Sequence, residues 1–463
     1  LTDSLRNFVA NLGTARDKAS HTHYGVPSLT PFEASNAYRG AWLPRKIIDI
    51  PALDATRNWR NWHAEADEIS AIEAEEQRLG LRVKVQDALK RARLFGGSAI
   101  YIGTGDSDPS KPLSPDRIRQ GGVRHLTVMS RTVLAAGELV RDPESPGYGR
   151  PGLYTLANGA TRVDIHPSRL VVLIGAPHPN PEDATGQDVG WGDSVLTSIM
   201  QAIKNADSNA ANIASLVFEA KVDVFKIPGL MQGLAGGGPY EKQLLDRMML
   251  AATAKGINGA LIMDSEEDYQ QKSASFAGLT DILNSSLQIV SGAADIPITR
   301  LLGQAPGGLN ASGESDLRNY YDRVRAAQEL EIAPALYNLD ECLIRSALGN
   351  RPEEAFYEWR SLWQTTDKER ADIGKITADT IKVIDDTGLL PDEVMAKVAV
   401  NMLTEAGVAP GLEVAMAEYA EANGSLERDP VAGEGESDAL GNPVAVADGA
   451  ADQPRVPAGN SNG

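Results

Sequence analysis

The chain has 463 residues, of which 42 % are hydrophobic and 23 % charged, and its formal net charge is −19. That length holds roughly two to four compact units, and no apolar run reaches the roughly 18–20 residues of a membrane span. Such acidity makes tight nucleic-acid binding through counterion release a poor fit, although it leaves room for a surface that DNA passes without sticking. No signal peptide opens the chain, which starts at Leu1 rather than Met, so the natural N-terminus is expected upstream. The single cysteine, Cys342, excludes an intrachain disulfide and suits a reducing compartment.

Residues 1 to 95 read as mainly helical. Leu5, Phe8, Val9 and Leu12 mark one amphipathic set, and residues 67 to 94 carry another. Strand-like runs follow at SAIYIG (98–103), RHLTVM (124–129) and RLVVLIG (169–175), separated by Pro, Gly and Asp loops. This is the pattern of a mixed α+β unit within a mainly helical chain.

Residues 193 to 219 place Leu196, Ile199, Ile203, Ala206, Ala210, Ile213 and Val217 at alternating spacings of three and four. The spacing predicts one helix about 39 Å long with a narrow apolar seam, suited to packing against a like neighbour within or between chains. Between 220 and 275 the helical pattern breaks into KVDVFKI, a Gly-rich turn, the helical YEKQLLDRMMLAATAK and the strand-like GALIMD, a small α/β insert. A second helix runs from Leu279 to Ala294, with Leu279, Leu283, Leu287 and Val290 on one face and Pro297 beyond its end.

Next comes the glycine-rich loop LLGQAPGGLNASG, then a helix from Gly313 to Ala347. Ser312 is a candidate cap, Glu314 and Asp316 suit the first turn, and Pro334 is expected to kink the helix. Thr366 with Glu369 forms a capping box for a helix to Asp386. Gly388 and Pro391 turn the chain into a helix over 392–406. From Gly424 onward, Gly, Pro, Ala and acids dominate, and the tail is expected to be disordered.

No catalytic constellation survives inspection. The loop 301–313 lacks the lysine of a phosphate cradle, and GGGPYEKQ (236–243) fails the same test. WGDSVL (191–196) has a Gly-Asp-Ser block, but no histidine follows His178, so Asp193 or Ser194 reads as a helix cap. His166-Pro167-Ser168 has the His-x-Ser form of two-histidine phosphoesterases without a second copy to face it, since HTHY (21–24) does not supply one. With six histidines in no ligand spacing and one cysteine, no metal or cofactor is expected. Residues 39–64 interleave Arg39, Arg45, Lys46, Arg57 and Arg60 with Trp42, Trp59 and Trp62. That fits either base stacking or a packed segment with snorkelling arginines.

Three segments carry a family resemblance: WLPRKIIDIPALDATRNWRNW, LKRARLFGGSAIYIG and DIPITRLLGQAPGGLNASGESDLRNYYDRVRAAQELEIAPALYNLDECL. From about residue 30 to 420 the chain resembles the portal proteins of tailed bacteriophages. The resemblance implies a ring at one capsid vertex of the virion, usually of twelve subunits, assembled in the host bacterial cytoplasm and carrying double-stranded DNA in packaging and ejection. By order along the chain it implies a wing from 1–192 and 316–365, stem helices at 193–219 and 278–295, and a clip at 220–277. A helical crown at 366–423 and an acidic tail at 424–463 complete it.

The implied partners are further copies of the chain, the terminase large subunit at the clip, the major capsid and scaffolding proteins, and a head–tail adaptor. Residues 296–315 would be the tunnel loop, lining the channel with Gln304, Ala305, Pro306, Gly307, Gly308, Leu309, Asn310 and Ser312. The seam on 193–217 would pack stem helices around that channel. Some members of this family are also linked to phosphodiesterases that destroy cyclic-nucleotide alarm signals of the host. A minor head-assembly protein without a channel is a third option.

Overall fold

Thr30 and Glu33 start the first helix among the described residues by capping each other; the amphipathic set at Leu5, Phe8, Val9 and Leu12 lies outside them. The Glu33 N–H donates to the Thr30 hydroxyl, and the Thr30 N–H donates to the Glu33 carboxylate, which fixes the start of α1 (Pro31–Gly40). The structure, a computed structural model, describes residues 29–416 apart from 107, 159–160, 185, 219–220, 236–237, 255–267, 274–277, 304–312, 364–366, 406, 410 and 413–414. The chain divides into two units, Leu1–Trp363 and Gln364–Gly463.

In the first unit α1 leads to α2 (Trp42–Arg57), β1 (Arg60–His63), α3 (Ala66–Leu79) and α4 (Leu81–Phe95). α2 buries Leu43, Ile47, Ile48, Ile50 and Ala55 although Pro51 stands inside it. A proline there has no N–H to offer the carbonyl four residues back. That carbonyl belongs to Ile47, and the Arg93 guanidinium of α4 donates to it at 2.9 Å. Burial pulls the Arg93 side chain down to about 10. At the other end of α2, Arg82 donates to the Thr56 carbonyl at 2.8 Å, supplying the partner that a helix terminus lacks.

β2 (Gly97–Gly103), β3 (His125–Ser130), β4 (Leu134–Ala136), β5 (Tyr154–Asn158), β6 (Thr161–Ile165) and β7 (Leu170–Ile174) follow. They form two antiparallel three-stranded sheets, ordered β3-β2-β7 and β4-β5-β6. Alternation along β2 and β7 serves two cores. Ile100, Ile102, Val171 and Leu173 point into the main cluster with α4, while Ala99 and Leu170 join Tyr154, Leu134 and Trp191 on the other face. All three strand-like runs predicted between 98 and 175 are strands.

α5 (Leu196–Phe218) is the predicted long helix. The insert contains β8 (Lys221–Lys226), α6 (Leu230–Ala235), α7 (Pro239–Ala254) and β9 (Asp268–Ser273), with β8 and β9 paired antiparallel. The strand-like GALIMD lies outside the described residues. α8 (Leu279–Ala294) has the bounds read from the sequence and packs along α5, where the Asn209 amide donates to the Ser286 hydroxyl at 2.8 Å. α9 (Ile298–Leu302) and α10 (Glu314–Ala327) flank the loop, and a π-helical turn over 328–332 joins α10 to α11 (Ala333–Leu348).

Pro334 stands two residues past the π turn. The Ala333 N–H reaches back to the Gln328 carbonyl, so the helix continues past a proline through a wider turn. Gly313, not Ser312, occupies the N-cap of α10; it makes no side-chain cap, and Ser312 lies outside the described residues.

β10 (Phe356–Trp359) pairs antiparallel with β1 and ties the end of the unit to the segment after α2. Arg60 lies in this pairing with its side chain fully buried, 2.7 Å from Glu76 and 2.6 Å from Asp340. Trp59 and Trp62 both donate their indole N–H to Glu76. The second half of the basic–aromatic segment is therefore internal packing, while Trp42, Arg39 and Arg45 remain exposed. In the second unit, α12 (Asp367–Asp386) and α13 (Asp392–Glu405) pack together around the turn at Gly388. Thr366 and the tail from residue 424 lie outside the described residues.

Candidate functional site: the roots of the 304–312 loop

α2 presents one acid on its buried face. Ile47, Ile50 and Asp54 fall three and four apart, so Asp54 lies in the apolar stripe, with its side chain fully buried. An unpaired carboxylate there would cost several kcal/mol, and the chain surrounds it with donors. Arg300 of α9 donates twice, Nε to Oδ2 at 3.0 Å and Nη2 to Oδ1 at 2.8 Å. The Tyr320 hydroxyl of α10 donates to Oδ2 at 3.0 Å, and Arg57 adds a contact at 3.4 Å. Hydrogen bonding to Asp54 raises the Arg300 pKa. Burial, followed by the charge of Asp54, raises that of Tyr320.

Arg300 and Tyr320 stand on either side of the loop, so a single carboxylate fixes both roots. Lys46 adds a tie from α2 by donating to the Leu301 carbonyl at 2.6 Å, and Leu301 itself is fully buried. Gln328, also fully buried, donates to the Ala55 carbonyl at 2.8 Å and so holds the far end of α10 on the end of α2. Gly303 and Gly313 bound the span in left-handed backbone, with φ of 72° and 60°. At the end of α8, Ser291 donates to the Ile296 carbonyl at 2.5 Å, and Asp295, at φ 56°, terminates the helix.

Gln304, Ala305, Pro306, Gly307, Gly308, Leu309, Asn310 and Ser312 all lie outside the described residues. The seam residues divide along α5. Leu196, Ile199, Ile203 and Ala206 are buried within this chain, Ile213 is half-buried, Ala210 is exposed, and the Val217 side chain lies outside the description. α8 places Leu279, Leu283, Leu287 and Val290 on its covered side, while Ile282 and Ile289, seven residues apart, are 53 % and 62 % exposed.

The rejected catalytic readings have structural counterparts. Ser194 is buried, and its hydroxyl accepts from the Leu196 N–H in the first turn of α5. His166 Nδ1 accepts from the Ser168 N–H and sits 2.8 Å from the Ser168 hydroxyl, which in turn accepts from the Leu113 N–H. Both side chains hold a loop. Among the described residues no three His, Cys, Asp or Glu side chains are grouped to hold a metal.

The Asp54 node was missed from sequence. Its signal was an acid in a helical stripe of isoleucines, which calls for a cationic or hydroxyl partner; which partner is not a local property.

A family model described as phage portal protein matches residues 32–383. A protein of Caulobacter sp. (strain RHG1) named Anti-CBASS protein Acb1 is 44 % identical over 434 residues, covering 90 % of this chain and 69 % of that protein. An uncharacterized protein of Haemophilus influenzae is 28 % identical over 446 residues, covering 94 % of this chain and 98 % of that one. Among solved structures, a chain from the neck of a native gene transfer agent particle, computed with C12 symmetry, is 13 % identical with a TM-score of 0.49. It covers 82 % of this chain and 97 % of its own length.

Proposed function

The chain belongs to the phage portal protein family, and from that premise we propose that it is one subunit of a ring through which double-stranded DNA enters and leaves the capsid. The observation that carries this reading is an uncharged segment whose two flanks are bound to one buried carboxylate. Residues 304–312 contain no lysine, arginine or acid, and both of their roots are bound to the buried Asp54. B-DNA carries one phosphate charge per about 1.7 Å, so a lining without fixed cations offers it no electrostatic trap. The glycines let the span yield as the duplex advances, while the roots hold their place.

In this reading α5 and α8 are the stem, and the insert at 220–277 is the clip that docks the terminase large subunit and, later, a head–tail adaptor. Residues 1–192 and 316–365 form the wing among capsid and scaffolding proteins, and 366–423 form the crown. Twelve copies close head to tail, since repeated heterologous contacts that close make a ring. The protein is then a conduit and assembly hub at the portal vertex of the virion, and the ATP-driven work belongs to the terminase. The test is deletion of 305–310. Assembly should survive, and DNA packaging or retention should fail; full packaging by that variant overturns the tunnel-loop role.

The name of the Caulobacter relative favours a second reading, action against a host immune signal. This chain spans about two thirds of that relative's length, and its His166 and Ser168 are engaged with each other and with Leu113. A hydrolysis assay of the full chain with cyclic oligonucleotides separates the two. Turnover abolished by His166→Ala supports the second reading.

A further inference from the structure

Two exposed surfaces of the first unit have complementary chemistry. One is the corner between α1 and α2. Trp42, the first residue of α2, is 51 % exposed, and the Lys46 ammonium lies 5.6 Å from its ring centre. The Arg45 guanidinium lies 5.4 Å from the ring of Tyr38 on α1. These contacts gather aromatic rings and cations into one patch. Arg39 and Arg45 are exposed, and neither has a carboxylate partner among the described residues. Asp49, further along α2, is held by the Tyr38 hydroxyl at 2.9 Å and by Lys90 at 3.5 Å.

The other surface is a groove of about 520 Å³ between α11 and β10, with Ala333, Pro334, Ile344 and Ala355 in its walls. Tyr337 and Phe356 line it while 67 % and 54 % exposed. The acids of the lining are already paired: Asp340 with Arg60, Glu341 with Arg345 and Arg351, and Glu329 with Arg325. Those beside it are not. Glu331, and Glu353 and Glu354 in the turn that enters β10, are exposed and have no ion pair among the described residues.

Trp, Tyr and Arg are the anchors of protein interfaces, and an apolar groove flanked by unpaired acids is their complement. The two surfaces lie at opposite ends of α2, whose 16 residues span about 24 Å. The corner is at its N-terminal end, and β1, which pairs with β10, follows its C-terminal end. One chain therefore carries both halves of a contact that it does not close on itself, as head-to-tail association requires. Copies with a net charge of −19 repel one another, and a local meeting of arginines with glutamates offsets that repulsion in one orientation. A nucleic acid would satisfy the corner alone and leave the groove bare.

We propose that the α1–α2 corner of one copy docks on the α11–β10 groove of the next, Trp42 against Tyr337 and Phe356, and Arg39 and Arg45 against Glu331, Glu353 and Glu354. This rests on the ring reading above and adds which surfaces meet.

The test uses the full chain. Arg39→Glu with Arg45→Glu, and separately Glu353→Arg with Glu354→Arg, change exposed side chains, so circular dichroism should stay native. Each pair should abolish the ring peak in size-exclusion chromatography. An equimolar mixture of the two variants should restore it, because the reversed corner fits the reversed groove and the two native surfaces fit each other. Carbodiimide coupling of Arg39→Lys/Arg45→Lys, in a mixture of isotopically light and heavy chains, should join position 39 or 45 of one copy to Glu331, Glu353 or Glu354 of another. Rings that survive either reversal, or a mixture that fails to restore them, overturn the docking and leave the ring itself standing. So does a reversed corner that keeps its rings but loses affinity for a short DNA duplex. Coupled peptides from a chain that forms no rings would uphold the docking and refute the ring, whereas absence of coupled peptides overturns the docking in either case.

Discussion

Arg300 and Tyr320, separated by the loop they flank, donate to the same carboxylate of Asp54, which is fully buried. A loop tied at both roots to one internal group cannot shift one root without disturbing the other. The tie therefore holds Arg300 and Tyr320 in a fixed relation to each other.

Asp54→Ala should remove the shared acceptor and strand Arg300 and Tyr320. Breaking a buried pair from one side costs about 3–5 kcal/mol. Arg300 is 30 % exposed and regains some water, which puts the loss near the low end. Chemical denaturation measures it, and a loss below about 0.5 kcal/mol, the level of an ordinary surface change, would refute the node.

Gln328→Leu should cost about 1–3 kcal/mol, because the Ala55 carbonyl loses its buried donor. Thermal melting of the variant measures this loss, and an unchanged Tm would mean that the carbonyl finds another partner.

If copies pack through the seam as proposed, its two parts should separate folding from assembly. Ile203 is 2 % exposed, so Ile203→Asp buries an unpaired charge and should unfold the subunit itself. Ile213 is half-buried on the distal part of α5, where Ile213→Asp should leave the circular dichroism spectrum native and abolish rings in size-exclusion chromatography. The pair Ile282→Asp and Ile289→Asp on α8 should behave like Ile213→Asp. Intact rings from these folded variants would contradict the proposed packing of α5 and α8 between subunits.

Asp340 supplies a pH dependence. Burial pushes its carboxyl from 3.8 up to about 6, against the opposing pull of Arg60. The folded carboxyl holds its proton more tightly than the unfolded one, so its stabilisation is full below 3.8 and is lost as pH rises through about 6. Glu75 and Glu341 are shifted down and act in the opposite sense, so the comparison must be made between variants. The stability of wild type minus that of Asp340→Asn should fall between pH 4 and pH 6 and level off above. A difference that climbs over this window would contradict the assignment.

Helical periodicity made much of this legible. The bounds of α8 and the strands β2, β3 and β7 followed from local pattern, because burying one face imposes a period that residues within a few positions reveal. The 193–217 seam also gave a helix, but periodicity could not say what covers it. The structure covers Leu196 to Ala206 within the chain and leaves Ala210 exposed. Pro334 predicted a disturbance, and its form is a π turn that begins at Gln328, whose amide bonds the Ala55 carbonyl of α2. Asp54, Arg93 and Arg60 were illegible for one reason: each is buried against partners far away in the chain, and only the fold brings those partners together.

Negative-stain electron microscopy of the purified chain tests the ring most directly. Closed rings with an axial hole wide enough for a duplex are the predicted result. A protein that remains monomeric at the highest attainable concentration would contradict it.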